Sequence, residues 1–206
     1  MLNGYTNIGD ADHGLYYDDE RFNPVWEIAE GHDVPIYLHP RDPMPHNQGL
    51  FEGHPELYGA VWTFTVETST HALRMMTSGL FDRFPRLSLI LGHLGETLPF
   101  NIWRIDHRVS YMGDLRKFKK PLTYYFLNNM YFTTSGNFDT QALTATVARV
   151  GAEHVLYSSD YPYESMREAA EWFDSAPINE NDRRLIGRDN ARRLFTRIPD
   201  KVGKNA

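Results

Sequence analysis

Short apolar runs alternate along the chain with segments in which apolar residues recur at helical spacing. Four runs, at 34–39, 87–92, 130–135 and 154–159, are rich in leucine, β-branched and aromatic residues and predict buried strands. The turn-rich start leaves room for the last residues of a fifth strand at 1–4. Helical spacing predicts helices near 22–29, 61–79, 99–105, 140–149, 165–175 and 180–195. This alternation is typical of an α/β fold with a parallel sheet.

The strand count favours part of a barrel. A closed (β/α)₈ barrel usually needs about 250 residues, and the 206-residue chain has four clear strands and the end of a fifth. An open sheet is the alternative, but no G-x-G-x-x-G phosphate loop follows any strand. The segment 40–59 predicts a long loop, 81–86 a connector and 200–206 a frayed tail, while the aromatic stretch 122–127 stays unassigned.

Composition narrows the class of protein. Hydrophobic residues make up 41% and charged residues 23%, with no repeat or linker, so we expect one soluble domain over 1–206. The net charge of −6 and the lack of a long basic run argue against a nucleic-acid partner. No run is long enough to cross a membrane, and the start does not look like a signal peptide. The absence of cysteine rules out thiolate chemistry and fits a cytoplasmic location.

Three predicted strands end in side chains that can bind a metal. They lead into His39, His93 and Asp160, and the carboxyl ends of parallel strands share one rim of a sheet or barrel. A single histidine in such a place is more often structural, but the pattern occurs three times. Imidazole and carboxylate groups suit zinc, manganese or related divalent ions. The sequence therefore predicts a metal-dependent site at this rim.

The residues around these strand ends resemble the amidohydrolase superfamily, and within it the metal-dependent hydroxybenzoate decarboxylases of the 2,3- and 2,6-dihydroxybenzoate types. The resemblance extends from Asn3 to Phe195. The segments that carry it are Tyr37-Leu-His-Pro-Arg41, Gly92-His-Leu-Gly-Glu-Thr-Leu-Pro99, Trp103-Arg-Ile-Asp-His-Arg108, Thr133-Thr-Ser-Gly-Asn137 and Ser158-Ser-Asp-Tyr-Pro-Tyr-Glu164. It implies the C-terminal part, about strands 4–8, of a TIM-type (β/α)₈ barrel with the metal-dependent hydrolase fold.

The resemblance also implies a role for each matching residue. His39 and Asp160 are expected to bind a divalent metal (Zn, Mn or Mg), and Asp160 also to move a proton. His93 is expected beside the substrate, with Glu96 orienting it. Two further residues, Asn3 and Arg104, are expected to bind substrate. Arg104 could do so across a subunit contact.

The implied reaction explains these residue types. In a non-oxidative decarboxylase of a small aromatic carboxylic acid, the carboxylate and the adjacent phenolic oxygen bind the metal. A general acid then protonates the ring carbon that carries the carboxylate, and the carbon–carbon bond breaks. Such enzymes serve the catabolism of aromatic compounds, and the resemblance implies a homodimer or homotetramer.

One departure from the family pattern affects the metal site. The family's first strand carries a Glu-x-His or His-x-His pair of metal ligands, and no predicted strand here carries one. Glu30-Gly31-His32 and Glu52-Gly53-His54 have this spelling but lie at a helix end and in a loop. We therefore expect a family member that lacks the first barrel strands at its N-terminus, binds metal weakly and, as a lone chain, is poorly active or inactive.

Alternatives remain open at this point. A metal-activated water could use the same ligands in a hydrolase, and a non-catalytic remnant would keep the fold alone. Arg41 could bind a carboxylate or form an internal ion pair. The remaining histidines, including His71 on its amphipathic helix, are most simply interpreted as solvated or structural. Asp106 and Arg108 are most simply interpreted as part of a helix face that is solvated or lies in an interface.

Overall fold

The computed structural model describes residues 1–10 and 12–196, so the expectation for 200–206 lies outside the described residues. Its strands are β1 Leu2–Asn3, β2 Thr6–Asn7, β3 Gly14–Leu15, β4 Ile36–His39, β5 Leu89–Leu91, β6 Met130–Thr133 and β7 Val155–Leu156. Five of them form a parallel sheet in the order β1-β4-β5-β6-β7, while β2 and β3 form a small antiparallel pair. The parallel sheet predicted from the alternation is present, including the short first strand.

Helices connect the strands of the sheet. They are α1 Asn23–Gly31, α2 Thr63–Thr77, α3 Leu80–Arg83, α4 Leu98–Val109, α5 Leu122–Asn128, α6 Thr140–Val150, α7 Met166–Ser175, α8 Glu180–Arg184 and α9 Asn190–Leu194, with a π-helical turn Leu185–Asp189 between the last two. The loop predicted at 40–59 is built largely from the 3₁₀ turns Pro45–Phe51 and Pro55–Leu57. Among the described helices, none combines the length and apolar character needed to cross a membrane.

Both faces of the sheet are covered, which explains why the strands read as continuous apolar runs. On one face Leu89, Leu91 and Phe132 are fully buried in the main core against the helices. On the other face Ile90 and Leu156 form a second cluster. Alternate residues of each strand therefore serve different packing surfaces, and the strand ends are left to carry polar side chains.

Candidate functional site

A cavity of about 880 Å³ opens at the carboxyl ends of the parallel strands. Four of the six residues predicted to form the site line it: Asn3, His39, His93 and Asp160. His39 ends β4, whereas His93 and Asp160 follow β5 and β7. The parallel topology brings these distant positions to one rim, as expected from the sequence.

His93 lies between two carboxylates. Its Nδ1 is 2.7 Å from Glu96 Oε1, and its Nε2 is 3.7 Å from Asp160 Oδ2. Because a carboxylate only accepts hydrogen bonds, Nδ1 carries the proton and donates it to Glu96. His93 and Glu96 are three positions apart in the chain, and they are in contact as predicted from the sequence.

Electrostatics favour the charged form of this imidazole. Burial, the largest single influence, lowers the pKa of His93, but the hydrogen bond to Glu96 and the negative charges of Glu96 and Asp160 outweigh it and raise the pKa overall. The side chain of Glu96 is only 1% exposed, and its second oxygen accepts a hydrogen bond of 2.7 Å from Thr65 Oγ1. The arrangement can therefore hold or pass a proton at Nε2, on the side of Asp160.

His39 is oriented by contacts at its other ring nitrogen. Its Nδ1 lies 2.9 Å from both Asn3 Oδ1 and the carbonyl oxygen of Pro40. Both are acceptors, so Nδ1 carries the proton and Nε2 keeps the lone pair that a metal requires. Asn3 thus contacts a predicted metal ligand and also lines the cavity, and its predicted substrate contact stays a prediction.

The donor set suits a divalent metal in kind but is small. His39 and Asp160 supply an imidazole and a carboxylate to one cavity. Across residues 1–10 and 12–196, no three histidine or acidic side chains are grouped closely enough to hold an ion. Neither of the two pairs spelled Glu-x-His lines the cavity, and Glu30 bonds the Arg86 amide while His54 bonds Glu56.

Arg104 lies away from these residues. It is exposed on α4 and borders a separate groove between α2 and α4. Within one chain the structure does not bring Arg104 to the cavity, and its predicted substrate contact would need a second copy. Arg41 does line the cavity, where it donates hydrogen bonds to the carbonyl oxygen of Tyr5 and to Asn7 Oδ1.

Sequence reasoning missed a group of hydroxyls below His93. Tyr37 Oη lies 3.0 Å from Thr133 Oγ1 and 3.2 Å from Ser135 Oγ, and the His93 amide donates to Ser135 Oγ at 3.4 Å. Gly92 permits this approach, since a Cβ there would lie 2.8 Å from Tyr37 Oη. Tyr37 and Thr133 alternate with core residues along their strands, and this period of two was the available signal.

Known proteins are similar to this chain in sequence and in fold. The amidohydrolase family profile matches residues 5–197. A gamma-resorcylate decarboxylase of Rhizobium radiobacter is 47% identical over 197 residues, which are 95% of this chain and 60% of the relative. The chain therefore spans about 60% of the length of such relatives.

Solved structures of decarboxylases also resemble this chain in fold. A 2,6-dihydroxybenzoate decarboxylase complexed with 2,6-dihydroxybenzoate superposes with a TM-score of 0.91 at 47% identity, covering 95% of this chain and 61% of that one. A second solved structure is a dihydroxybenzoic acid decarboxylase of Polaromonas sp. JS666 with bound manganese and the inhibitor 2-nitroresorcinol. It superposes with a TM-score of 0.90 at 45% identity, covering 95% of this chain and 59% of that one.

The fold predicted from the sequence is confirmed. The five parallel strands and their helices are the C-terminal part of a TIM-type barrel, and they match the corresponding part of the solved decarboxylases. The family profile covers nearly all of the described residues. The chain belongs to the amidohydrolase family.

Proposed function

We propose that this chain provides part of the active site of a metal-dependent, non-oxidative decarboxylase of hydroxybenzoates. The observation that carries the proposal is the placement of His93 between Glu96 and Asp160, on the wall of the cavity that His39 also lines. The relatives support it, since two of them are named as decarboxylases of dihydroxybenzoic acids and one structure contains 2,6-dihydroxybenzoate.

His39 and Asp160 would hold a divalent metal. When bound, such an ion polarises the carboxylate and phenolic oxygens of the substrate and offsets their charge. Manganese occupies the Polaromonas relative, which makes it the first ion to test, with zinc and magnesium as alternatives. The proton on His39 Nδ1, shared with Asn3 and Pro40, fixes the ring so that Nε2 is the donor to the metal.

The remaining residues would manage the proton. Decarboxylation adds a proton to the ring carbon that carries the carboxylate, and the electrons of the broken carbon–carbon bond restore the aromatic ring as carbon dioxide leaves. Asp160 would deliver this proton, and His93 Nε2, 3.7 Å away, would replace it. Glu96 keeps His93 in the required orientation through the bond to Nδ1.

A homodimer or homotetramer belongs to the same proposal. Arg104 does not line the cavity of its own chain. Its neighbours on α4 include Phe100 and Trp103, whose side chains are 87% and 61% exposed. Large exposed aromatic side chains are typical of protein contacts. Light scattering on the purified chain tests this, and a monomer at every concentration would remove Arg104 from the proposed site.

A cytoplasmic location is the last part of the proposal. The absence of cysteine supports it, because it fits a compartment in which disulfides play no part. Fractionation of the native host, followed by detection with an antibody, tests the location directly. Recovery of the protein outside the cytoplasmic fraction would contradict it.

The test of function is release of carbon dioxide from 2,6-dihydroxybenzoate by the purified chain with added Mn²⁺. We expect turnover that is slow, because two proposed ligands hold the metal weakly, and that His93→Gln and Asp160→Asn abolish, while His54→Gln, a change in an exposed loop residue, leaves it unchanged. A panel of lactones and amides separates a decarboxylase from a hydrolase of the same superfamily. Hydrolysis without decarboxylation, or neither reaction, would contradict the proposal; the second result favours a non-catalytic role.

A further inference from the structure

The first turn of α2 contacts the proposed site at three successive positions. Thr63 Oγ1 donates a short hydrogen bond to Asp42 Oδ1, and Asp42 lines the cavity. Phe64 lines the cavity itself. Thr65 Oγ1 donates to Glu96 Oε2 at 2.7 Å. The start of this helix is therefore tied both to the loop after β4 and to the carboxylate that orients His93.

We propose that Thr65 is a positioning residue, which fixes the Glu96 carboxylate and through it the His93 ring. The Glu96 side chain is 1% exposed, and its two oxygens are divided between His93 Nδ1 and Thr65 Oγ1, each at 2.7 Å. Hydrogen bonds to a charged acceptor are the strong class of protein hydrogen bonds. Thr65 thus satisfies the oxygen that His93 does not use.

The torsion at the end of a glutamate side chain explains why this second bond matters. Rotation of a carboxylate about its last carbon–carbon bond has a broad, shallow energy profile. One hydrogen bond at Oε1 leaves this rotation open, whereas a second bond at Oε2 defines the plane of the group. A defined plane holds the ring of His93, and with it the Nε2 that lies 3.7 Å from Asp160.

The catalytic consequence of this role rests on the proposed decarboxylase function, but the positioning itself can be measured without turnover. Thr65→Val removes the hydroxyl and keeps the branched shape, and Thr65→Ser keeps the hydroxyl. Thr70→Val is the matched control, because Thr70 is an exposed threonine of the same helix whose hydroxyl bonds the carbonyl oxygen of Val66.

The first measurement is the exchange with water of the His93 Nδ1 proton, followed by nuclear magnetic resonance and assigned as the ring signal that is lost in His93→Gln. We expect Thr65→Val to speed this exchange about tenfold or to remove the signal, while Thr65→Ser and Thr70→Val stay like the unmodified chain. Unchanged exchange in a folded Thr65→Val chain would overturn the proposal. If that variant does not fold, Thr65→Ala against Thr65→Ser makes the same comparison.

The second measurement is turnover. If the chain decarboxylates 2,6-dihydroxybenzoate, Thr65→Val should lower kcat about tenfold with little change in KM, and Thr65→Ser should restore it. In a Glu96→Ala background, which removes the acceptor, the same change should cost nothing more, since Thr65 acts through Glu96. An equal loss in both backgrounds would contradict positioning. If the unmodified chain has no activity, the proposed function fails, while the exchange measurement still decides the role of Thr65.

Discussion

Four residues other than glycine hold left-handed backbone next to the cavity. They are His93, Leu94, Glu96 and Asp160, with φ between 52° and 69°. This region is costly for residues with a Cβ atom, and such strain is concentrated at functional sites. The sharp turn after β5 is what allows His93 and Glu96 to meet, and three of the four strained residues belong to the proposed site.

Gly136 provides a test of how closely this site is packed. It has φ of +64°, and a Cβ there would lie 2.9 Å from His93 Cδ2 and 3.1 Å from Asp160 Oδ2. Gly53 also has positive φ, but its Cβ would meet nothing within 4 Å. We expect Gly53→Ala to lower the free energy of unfolding by about 1 kcal/mol and Gly136→Ala by about 1–3 kcal/mol more. Urea titrations of both variants measure this, and equal losses would show that the space beside His93 can adjust.

His71 makes the stability depend on pH. It is 1% exposed, its Nε2 accepts a hydrogen bond of 2.9 Å from the Tyr17 amide, and burial, with a smaller effect of Arg74, lowers its pKa from 6.5 to about 3. At a pH between these two pKa values, the unfolded chain binds a proton at His71 and the folded chain does not. The free energy of unfolding should therefore fall as pH drops below 6.5, by up to about 1.4 kcal/mol per pH unit.

Unfolding measured from pH 7 to 4 in His71→Gln and His54→Gln isolates this contribution. The first variant should show a smaller pH slope than the unmodified chain. The second should keep the slope, because His54 lies on the surface beside Glu56. Identical slopes in all three proteins would contradict a neutral His71 in the fold.

The sequence could predict the residues that belong to strand ends, and much less of what surrounds them. His39, His93 and Asp160 follow apolar runs, so the topology of a parallel sheet implied that they share a rim. Thr65 and Ser135 lie on other elements, and their hydroxyls meet Glu96 and His93 only in three dimensions. Threonine and serine carry no strong pattern in sequence, which explains why these contacts were not predicted.

At the scale of elements, α5 shows how a tertiary contact decides local structure. Its aromatic sequence left 122–127 unassigned, yet it is a helix that follows Pro121. The Asp106 carboxylate on α4 accepts hydrogen bonds from the Leu122 and Thr123 amides, at 2.8 and 3.2 Å, and from Thr123 Oγ1 at 2.6 Å. Asp106, interpreted from sequence as a solvated or interface residue, caps the first turn of another helix.

Removal of this cap should be costly. Asp106→Ala leaves the first amides of α5 without their acceptor beside the fully buried Leu122, so we expect a loss of about 1–3 kcal/mol in the free energy of unfolding. Glu27→Ala, a similar change on the exposed surface of α1, should stay within about 0.5 kcal/mol of the unmodified chain. Thermal and urea unfolding of both variants measure this. A loss for Asp106→Ala no larger than that for Glu27→Ala would show that the α5 amides find other partners.

The strands were predicted in the right places but with bounds too wide, whereas the helix bounds differ in both directions, since the helix predicted at 99–105 is the longer Leu98–Val109. The run 154–159 contains only Val155–Leu156 as strand, and the amides that follow bond elsewhere: that of Tyr157 donates to the Ile186 carbonyl oxygen and that of Ser158 to Thr134 Oγ1. The helix predicted at 61–79 is Thr63–Thr77, and Val61 lies before it and is 69% exposed. Apolar periodicity locates a segment, whereas its ends depend on hydrogen bonds to other parts of the chain.

At the scale of the whole molecule, a well-packed five-stranded parallel sheet supports a small set of proposed metal donors. The sheet carries helices and a second apolar cluster on its two faces, so the rim that holds His39 and Asp160 is well supported. Protein metal sites usually combine three or four side-chain ligands. The two proposed ligands would leave most of the coordination of an ion to water, which predicts weak and readily reversible binding.

The purified 206-residue chain should therefore retain much less than one metal ion per molecule after dialysis, as measured by inductively coupled plasma mass spectrometry. Titration with Mn²⁺, followed by electron paramagnetic resonance, should show a site that fills only with Mn²⁺ in large excess. His39→Gln should remove this binding because it deletes the free Nε2, and His54→Gln should not change it. One tightly held ion per chain after dialysis would show that further ligands complete the site, for instance from a second copy of the chain.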